Sequence, residues 1–126
     1  MGTDHPSPAR DFAGYLESYV DQMAFGDEDP AVIVDRYHTP GIVWVSDGIR
    51  LDREKLVAHA RPVRRNMTAC RVDVAETLVT GDRIAARYTL SAATRKGRET
   101  VTEVYLFGRL APDGRLRHID QITRTP

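Results

Sequence analysis

Residues 104–124 read VYLFGRLAPDGRLRHIDQITR, and this stretch decides the fold. Val104 to Leu110 is rich in the branched and aromatic side chains that favour extended backbone, and a second such run begins at Leu116. The residues between them, Ala111-Pro112-Asp113-Gly114, form a typical turn sequence, because proline presets one backbone angle and glycine tolerates the next. The stretch therefore predicts two antiparallel strands joined by a short turn.

Two more strands are predicted upstream of this pair. From Met67 to the turn at Thr80-Gly81-Asp82, apolar residues recur at every second position, as in a strand with one buried face. The same alternation returns after that turn and again after Arg95-Lys96-Gly97. The predicted strands therefore span about 67–80, 84–93, 100–110 and 116–123.

Helical spacing dominates the chain before this sheet. Ser7-Pro8 is a typical helix start, and an apolar stripe follows it to Gly26. Asp29-Pro30 starts a second, shorter helix, which the breaker Thr39-Pro40-Gly41 ends. The sequence therefore predicts two helices ahead of the first strand.

A small hairpin and a third helix complete the predicted elements. Residues 42–45 are β-branched or aromatic, Asp47-Gly48 is a strong turn dipeptide, and residues 49–51 can pair back. Asp52 can cap a helix over about 53–65. This order of elements predicts an α+β domain, with helices covering one face of an antiparallel sheet.

Size and charge limit what the protein can do. With 126 residues, 41% of them hydrophobic, the chain suits one packed domain, expected at 8–126 behind a loose tail at 1–7. Eighteen Lys and Arg offset eighteen Asp and Glu, so no net field attracts nucleic acid or anionic lipid. The apolar runs are too short to cross a membrane and no secretory signal is evident, so a cytoplasmic location is expected.

No pattern in the sequence indicates a metal or cofactor. Cys70 is the only cysteine, which excludes an internal disulfide and a cysteine-built zinc site. The histidines and acids lack metal-ligand spacing, and the glycines are isolated turn residues rather than a phosphate loop. His5 and His38 are predicted to have surface or capping roles. We therefore expect neither a metal nor a cofactor.

Four segments in this order resemble the nuclear transport factor 2-like superfamily over about residues 8–124. They are SYVDQMAFGD, DRYHTPGIVWVSDG, GDRIAARYTL and the strand-turn-strand quoted above. Among its members the chain looks most similar to the SnoaL-like polyketide cyclases and the ketosteroid isomerase-like proteins. The resemblance implies a cone-shaped α+β barrel, in which three N-terminal helices pack on a curved antiparallel sheet around an apolar pocket.

The resemblance also implies two hydrogen-bond donors. Ketosteroid isomerases hold an enolate oxygen with a tyrosine on the first helix and an acid on a late strand. Tyr19 aligns with that tyrosine, and the acid falls near Tyr105 or at Glu103. Burial of Glu103 on an inward face would raise its pKa and keep it protonated. The alternatives are core packing for Tyr19 and an arginine pair, with Arg87 or Arg109, for Glu103.

The catalytic base of the isomerases has no direct counterpart. Its place falls on Val45, and the nearest acid is Asp47. Asp47 could reach the pocket mouth as a base, or serve only the Asp-Gly turn. His59, near the apolar face of the third helix, is the second candidate base, with partly buried packing as its alternative.

Five residues are candidates for ligand binding. Trp44 and Val45 would form part of the pocket wall, Arg87 could clamp a ligand carboxylate, and Tyr105 and Gln121 could offer hydrogen bonds.

The last strand leaves open which of its faces lines the pocket. The resemblance implies that the side chains of Ile119, Gln121 and Thr123 point into the pocket. His118 and Asp120 would then lie on the outer face of the sheet. Leu116 and Ile122 argue for the opposite alternation.

Two functions fit these observations. The first is a small-molecule pocket enzyme of isomerase, cyclase or dehydratase type, acting by acid–base chemistry on a small hydrophobic carbonyl compound. The second is a non-catalytic ligand-binding or dimeric association module of the same fold. The expected partners are a small apolar organic ligand and a second copy of the chain, with Val104, Leu106 and the opposite sheet face as the dimer interface.

Overall fold

The computed structural model describes residues 5–126, which form three helices and six strands. In chain order these are α1 (Phe12–Phe25), α2 (Pro30–Tyr37), β1 (His38–Ser46), β2 (Ile49–Leu51), α3 (Arg53–Asn66), β3 (Met67–Thr80), β4 (Arg83–Thr94), β5 (Glu99–Leu110) and β6 (Leu116–Arg124). Each predicted helix and strand is present. Within residues 5–126, none of the helices combines the length and the hydropathy needed to span a bilayer.

Aspartate side chains cap all three helices. Asp29 and Asp52 accept hydrogen bonds from the first-turn amides of α2 and α3, at 2.9 and 3.0 Å, as predicted. α1 starts later than Ser7-Pro8 predicted, because Asp11 is its cap and accepts from the Gly14 amide at 2.9 Å. Ser7 instead closes a preceding turn, in which its carbonyl accepts from the Asp11 amide at 2.8 Å.

The strands form one sheet in the order β2-β1-β6-β5-β4-β3. Every neighbouring pair is antiparallel except β1 and β6, which run parallel, so the expectation of a purely antiparallel sheet is wrong for one pair. The sheet is curved but does not close into a barrel, because β2 and β3 remain at its two edges.

The inner face of the sheet packs against the helices and forms the core. On β5, Val104 and Leu106 are 3% and 1% exposed, whereas Tyr105 and Phe107 point to the outer face. Val104 and Leu106 are therefore not available for the predicted dimer interface. Both faces of β5 are apolar, so its alternation alone could not show which face the helices cover.

A bulge in β6 resolves the ambiguity of the last strand. Leu110 pairs with Leu116 while Arg109 pairs with His118, so one extra residue is inserted at Arg117. Leu116 and Ile119 can therefore both be fully buried, although they are three residues apart. Beyond the bulge, Gln121 and Thr123 point inward and Ile122 outward, as the resemblance implied.

Candidate functional site

A small polar group lies on the inner face where β1 and β6 end. Ser46 and Gln121 are register partners, and the Gln121 amide nitrogen donates to the Ser46 hydroxyl at 3.0 Å. The other amide atom, Oε1, is buried and has no hydrogen-bond partner within residues 5–126. A buried acceptor without a partner costs about 1–3 kcal/mol, so this atom marks a position where a ligand donor would be favourable.

Tyr19 lies on the inward side of α1, against Trp44, which is two residues before Ser46 on β1. It is 8% exposed, its ring stacks on Trp44 at a centroid distance of 6.0 Å, and its edge meets His38 at 4.8 Å. Burial raises the pKa of Tyr19, and a charge on the nearby Tyr88 would raise it further. The phenol therefore stays protonated and can act as a donor. Its catalytic role stays a prediction.

Tyr88 is a second buried phenol that the sequence reasoning did not single out. It points inward from β4, and burial raises its pKa to about 12. No hydrogen bond to any other residue of 5–126 contributes to the raised pKa of Tyr19 or Tyr88. The alternation of Ile84, Ala86 and Tyr88 along β4 was a signal that could have found it.

His38 occupies the C-cap of α2, but it is fully buried rather than on the surface. Its Nδ1–H donates to the Val34 carbonyl at 2.8 Å, so Nε2 must accept from the Tyr15 hydroxyl, also at 2.8 Å. Burial lowers the pKa of His38 to about 4, although the bond to Val34 opposes this shift. The imidazole is therefore neutral at pH 7 and holds the aromatic core together.

Glu103 lies on the outer face of β5, so its predicted inward position is wrong. Its carboxylate accepts hydrogen bonds from Arg124 at 2.8 Å and from the Tyr105 hydroxyl at 3.3 Å. Arg124, first among these contacts, lowers the pKa of Glu103, whereas an inward acid would have a raised pKa. Glu103 is thus an ion-pair residue, as the alternative held, but its partner is Arg124 rather than Arg87 or Arg109. Tyr105 lies on the same outer face of β5 as Glu103, so it too points away from the inner face.

Val45 and Arg87 also point away from the inner face. Trp44 takes the inward position on β1, so the next residue, Val45, must face outward, opposite Asp120. Arg87 is exposed on β4 and donates to Glu76 at 2.7 Å. The predicted contacts of Val45 and Arg87 with an inner-face ligand are therefore wrong.

The two predicted bases are not placed for proton abstraction. Asp47 has a left-handed backbone, with φ at 51°, and its carboxylate accepts hydrogen bonds from the amide and the hydroxyl of Thr123. The hydroxyl bond is the main cause that lowers the pKa of Asp47. This turn therefore ties β1 to β6 and holds Ser46 next to Gln121. His59 is exposed on α3.

The structure thus brings Tyr19, Trp44 and Gln121 to the inner face and adds Tyr88 to them. Two pockets are well formed elsewhere: a groove of about 510 Å³ at the opposite end of the sheet, and one of about 150 Å³ on the outer face. Neither is lined by Tyr19, Trp44 or Gln121. The candidate site is therefore a group of inner-face side chains and not one of these two pockets.

The chemistry of these inner-face side chains is that of hydrogen bonding rather than proton transfer. In the part of the chain that the structure describes, no strand residue that points inward is Asp or Glu. The inner face carries two phenol donors, one amide acceptor and an indole wall. A carbonyl or hydroxyl compound with an apolar body matches this set.

Three helices on a curved, open six-stranded sheet define the nuclear transport factor 2-like class of α+β proteins. The chain belongs to the SnoaL-like domain family, whose sequence profile matches residues 16–119. No curated protein matches it significantly.

Solved structures with the same fold share little sequence with this chain. IdmH from Streptomyces antibioticus, proposed to be a polyketide cyclase, is 16% identical, with a TM-score of 0.67 over 88% of this chain and 90% of its own. A proposed isomerase from Rhodopseudomonas palustris is 13% identical, with a TM-score of 0.67 over 85% and 84%. A protein from Catenulispora acidiphila with a ketosteroid isomerase-like fold is 8% identical, with a TM-score of 0.65 over 85% of this chain and 82% of its own. These likenesses establish the fold.

Proposed function

We propose that this protein binds a small, largely apolar organic molecule that carries a carbonyl oxygen and a hydroxyl group. The observation that carries the proposal is the buried, unpaired Oε1 of Gln121 beside Ser46. An amide oxygen in this position fits a hydroxyl donor on the ligand, because the bond would remove the penalty of the unpaired acceptor. Trp44 supplies an apolar wall on the neighbouring strand.

The two buried phenols supply the complementary half of the site. Tyr19 and Tyr88 have raised pKa values, so both keep their protons throughout the physiological range. Neither raised pKa has a hydrogen bond within residues 5–126 among its causes. A ligand carbonyl oxygen would accept from one or both hydroxyls, and such bonds are stronger where water is excluded.

The geometry favours binding over acid–base catalysis. A catalytic base must reach the proton that it removes, but the Asp47 carboxylate is held by Thr123 and Glu103 lies on the outer face. The lowered pKa of Asp47 also makes it a poor proton acceptor. We therefore place this protein among the ligand-binding modules of its fold.

A pair of planar probes tests the role of Gln121. The protein is expected to bind 2-naphthol about tenfold more tightly than 2-methoxynaphthalene, because only the first can donate a hydrogen bond to the amide oxygen. Titration calorimetry measures both affinities. The variant Gln121→Leu should lose the preference while keeping the apolar contacts.

The matched control is the other glutamine of the chain. The amide of Gln22 is already hydrogen-bonded to Tyr37 and Arg36, at 2.8 and 2.7 Å, so Gln22→Leu should retain the preference for 2-naphthol. Equal affinity of the native chain for both probes, or no binding of either, would contradict the assignment of Gln121.

A ketone probe separates binding from catalysis. 2-Tetralone should bind, and Tyr19→Phe should weaken its binding, yet the protein should not accelerate exchange of its α-protons with deuterium from D₂O. Proton NMR follows that exchange. Acceleration by the native chain would restore the enzyme hypothesis and reject the non-catalytic function.

A further inference from the structure

The inner face of the sheet is buried at one end and accessible at the other. Near the start of β4, the inward side chain of Ile84 is 2% exposed, and Tyr88 further along is still only 7% exposed. Beyond Tyr88, the inward residues Leu90 and Ala92 are only half-buried, and so is Thr102, which pairs with Leu90 on β5. Solvent therefore approaches Tyr88 from the end of the sheet that carries the β4–β5 hairpin.

Helix α3 ends at the same place. It connects the two edge strands of the sheet, β2 and β3, and therefore lies across the inner face. The Arg95 amide in the β4–β5 hairpin donates to the carbonyl of Asn66, the last residue of α3, at 2.8 Å. The Arg95 Nε donates to the Arg65 carbonyl at 2.6 Å. The end of α3 and the hairpin thus form one corner at the accessible end of the inner face.

This corner is strongly basic. Segments 61–66 and 94–98 contain six of the eighteen Lys and Arg residues of the chain and no Asp or Glu. We define these six residues as the basic corner: Arg61, Arg64, Arg65, Arg95, Lys96 and Arg98. None of them forms an ion pair within residues 5–126. The local potential is therefore positive, although the net charge of the chain is zero.

The fold accounts for only part of the basic corner. Arg64 and Arg95 donate to backbone carbonyls at or near the ends of helices α1 and α3, so both help to cap the helices. The side chains of Arg61, Lys96 and Arg98 are exposed and make no hydrogen bond within residues 5–126. Like charges that lie close together destabilise the folded chain unless an anion approaches them. Three cations are thus left for a ligand.

We propose that the inner-face ligand is an elongated organic anion, whose apolar body lies along β4 and β5 and whose carboxylate or phosphate group contacts the basic corner. This inference rests on the proposed function, to which it adds the charge and the length of the ligand. Thr94, where the hairpin begins, is six residues beyond Tyr88 on β4, a distance of roughly 20 Å along the strand. A carbonyl group at Tyr88 and an anionic group at the basic corner are therefore separated by about this length.

The two ends of such a ligand need different surroundings. The inward residues Leu90 and Ala92 offer no charged partner, so an ionised group held among them would lose its hydration without compensation. At the basic corner the same group stays partly hydrated and is attracted by several cations. No residue of the basic corner lines either well-formed pocket, so a small inorganic anion would not be enclosed there. The apolar body is therefore needed for binding.

A long hydroxy acid and its methyl ester test this inference. The native chain should bind 16-hydroxyhexadecanoate about tenfold more tightly than its methyl ester at low ionic strength, and added salt should reduce the difference. The fluorescence of Trp44, the only tryptophan, measures both affinities below the concentration at which the probes form micelles. The short acid 6-hydroxyhexanoate cannot reach the corner and should show no preference over its ester. Equal affinity for the long acid and its ester would overturn the inference.

Two charge-matched variants locate the anion. Lys96→Glu combined with Arg98→Glu should abolish the preference for the long acid. The control combines Arg10→Glu with Arg50→Glu, which changes the net charge equally at exposed residues outside the basic corner and should retain the preference. Circular dichroism checks that both variants fold. A preference that survives the first variant, or that the control also loses, would reject the basic corner as the anion site.

The 2-naphthol pair separates this inference from the proposed function. If the native chain prefers 2-naphthol to its ether but binds the long acid and its ester equally, the proposed function stands and the anionic ligand is rejected. If no probe of either pair binds, both are rejected. 16-Hydroxyhexadecyl phosphate then identifies the anionic group: tighter binding than the carboxylate assigns a phosphate, weaker binding assigns a carboxylate, and either order supports the inference.

Discussion

Leu106→Ala is expected to lower the free energy of unfolding by about 3 kcal/mol. Leu106 is 1% exposed and lies on the inner face of β5, in register between Ala86 and Gln121. Its removal leaves a cavity in the middle of the sheet, because neighbouring strands cannot collapse into the space. Urea denaturation followed by circular dichroism measures the loss.

The matched control is Ile49→Ala. Ile49 is also an aliphatic strand residue, but it is 65% exposed on β2, so its loss should be below about 1 kcal/mol. Both variants are compared at two protein concentrations, which separates core packing from any effect of association. Equal losses would show that β5 presents its other face to the helices.

The second large effect is a loss of stability in acid caused by His38. The free energy of unfolding should fall by about 3 kcal/mol between pH 7 and pH 4 through this residue. Its pKa is lowered from 6.5 to about 4 by burial in the folded chain. Between these values the unfolded chain binds a proton that the folded chain does not. The full stability is therefore present above pH 6.5 and decreases as the pH falls towards 4.

The variant His38→Asn isolates this contribution. It is expected to be less stable than the native chain at pH 7, but its stability should change little between pH 6.5 and 4.5. Carboxylates with lowered pKa values, such as Asp35 and Asp47, affect stability only at lower pH, since their ordinary pKa is 3.8. Proton NMR of the imidazole gives an independent readout. A native-chain His38 that titrates near 6.5 would contradict the prediction.

Local signals predicted the elements well because each acts within a few residues. Asp29 and Asp52 cap their helices as expected, and the turn at Asp47-Gly48 has the left-handed backbone that this dipeptide favours. Two local predictions are wrong. β1 begins at His38 and therefore includes Thr39-Pro40-Gly41, which were predicted to form a break. α1 starts late, because Asp11 rather than Ser7 reaches the Gly14 amide.

The site was predicted less completely, and the errors share one cause. Glu103, Tyr105, Arg87 and Val45 were assigned to the wrong face of their strands. A shift of one position exchanges inside and outside, and apolar residues on both sides of β5 remove the signal that would prevent it. Tyr88 was missed although its alternation with Ile84 and Ala86 was readable, and His38 was missed because its burial depends on Tyr15 of another helix.

By itself, the sequence determined the order of helices and strands, their turns and the family, because caps, turn dipeptides and periodicity are local properties of the chain. The tertiary structure alone decided which strand faces meet the helices, the parallel pairing of β1 with β6 and the bulge at Arg117. These features depend on contacts between distant segments. In particular, the helices pack on Val104 and Leu106 and leave Phe107 in solvent. The residues on both faces of β5 favour a strand equally well, so only this packing distinguishes the inner face from the outer one.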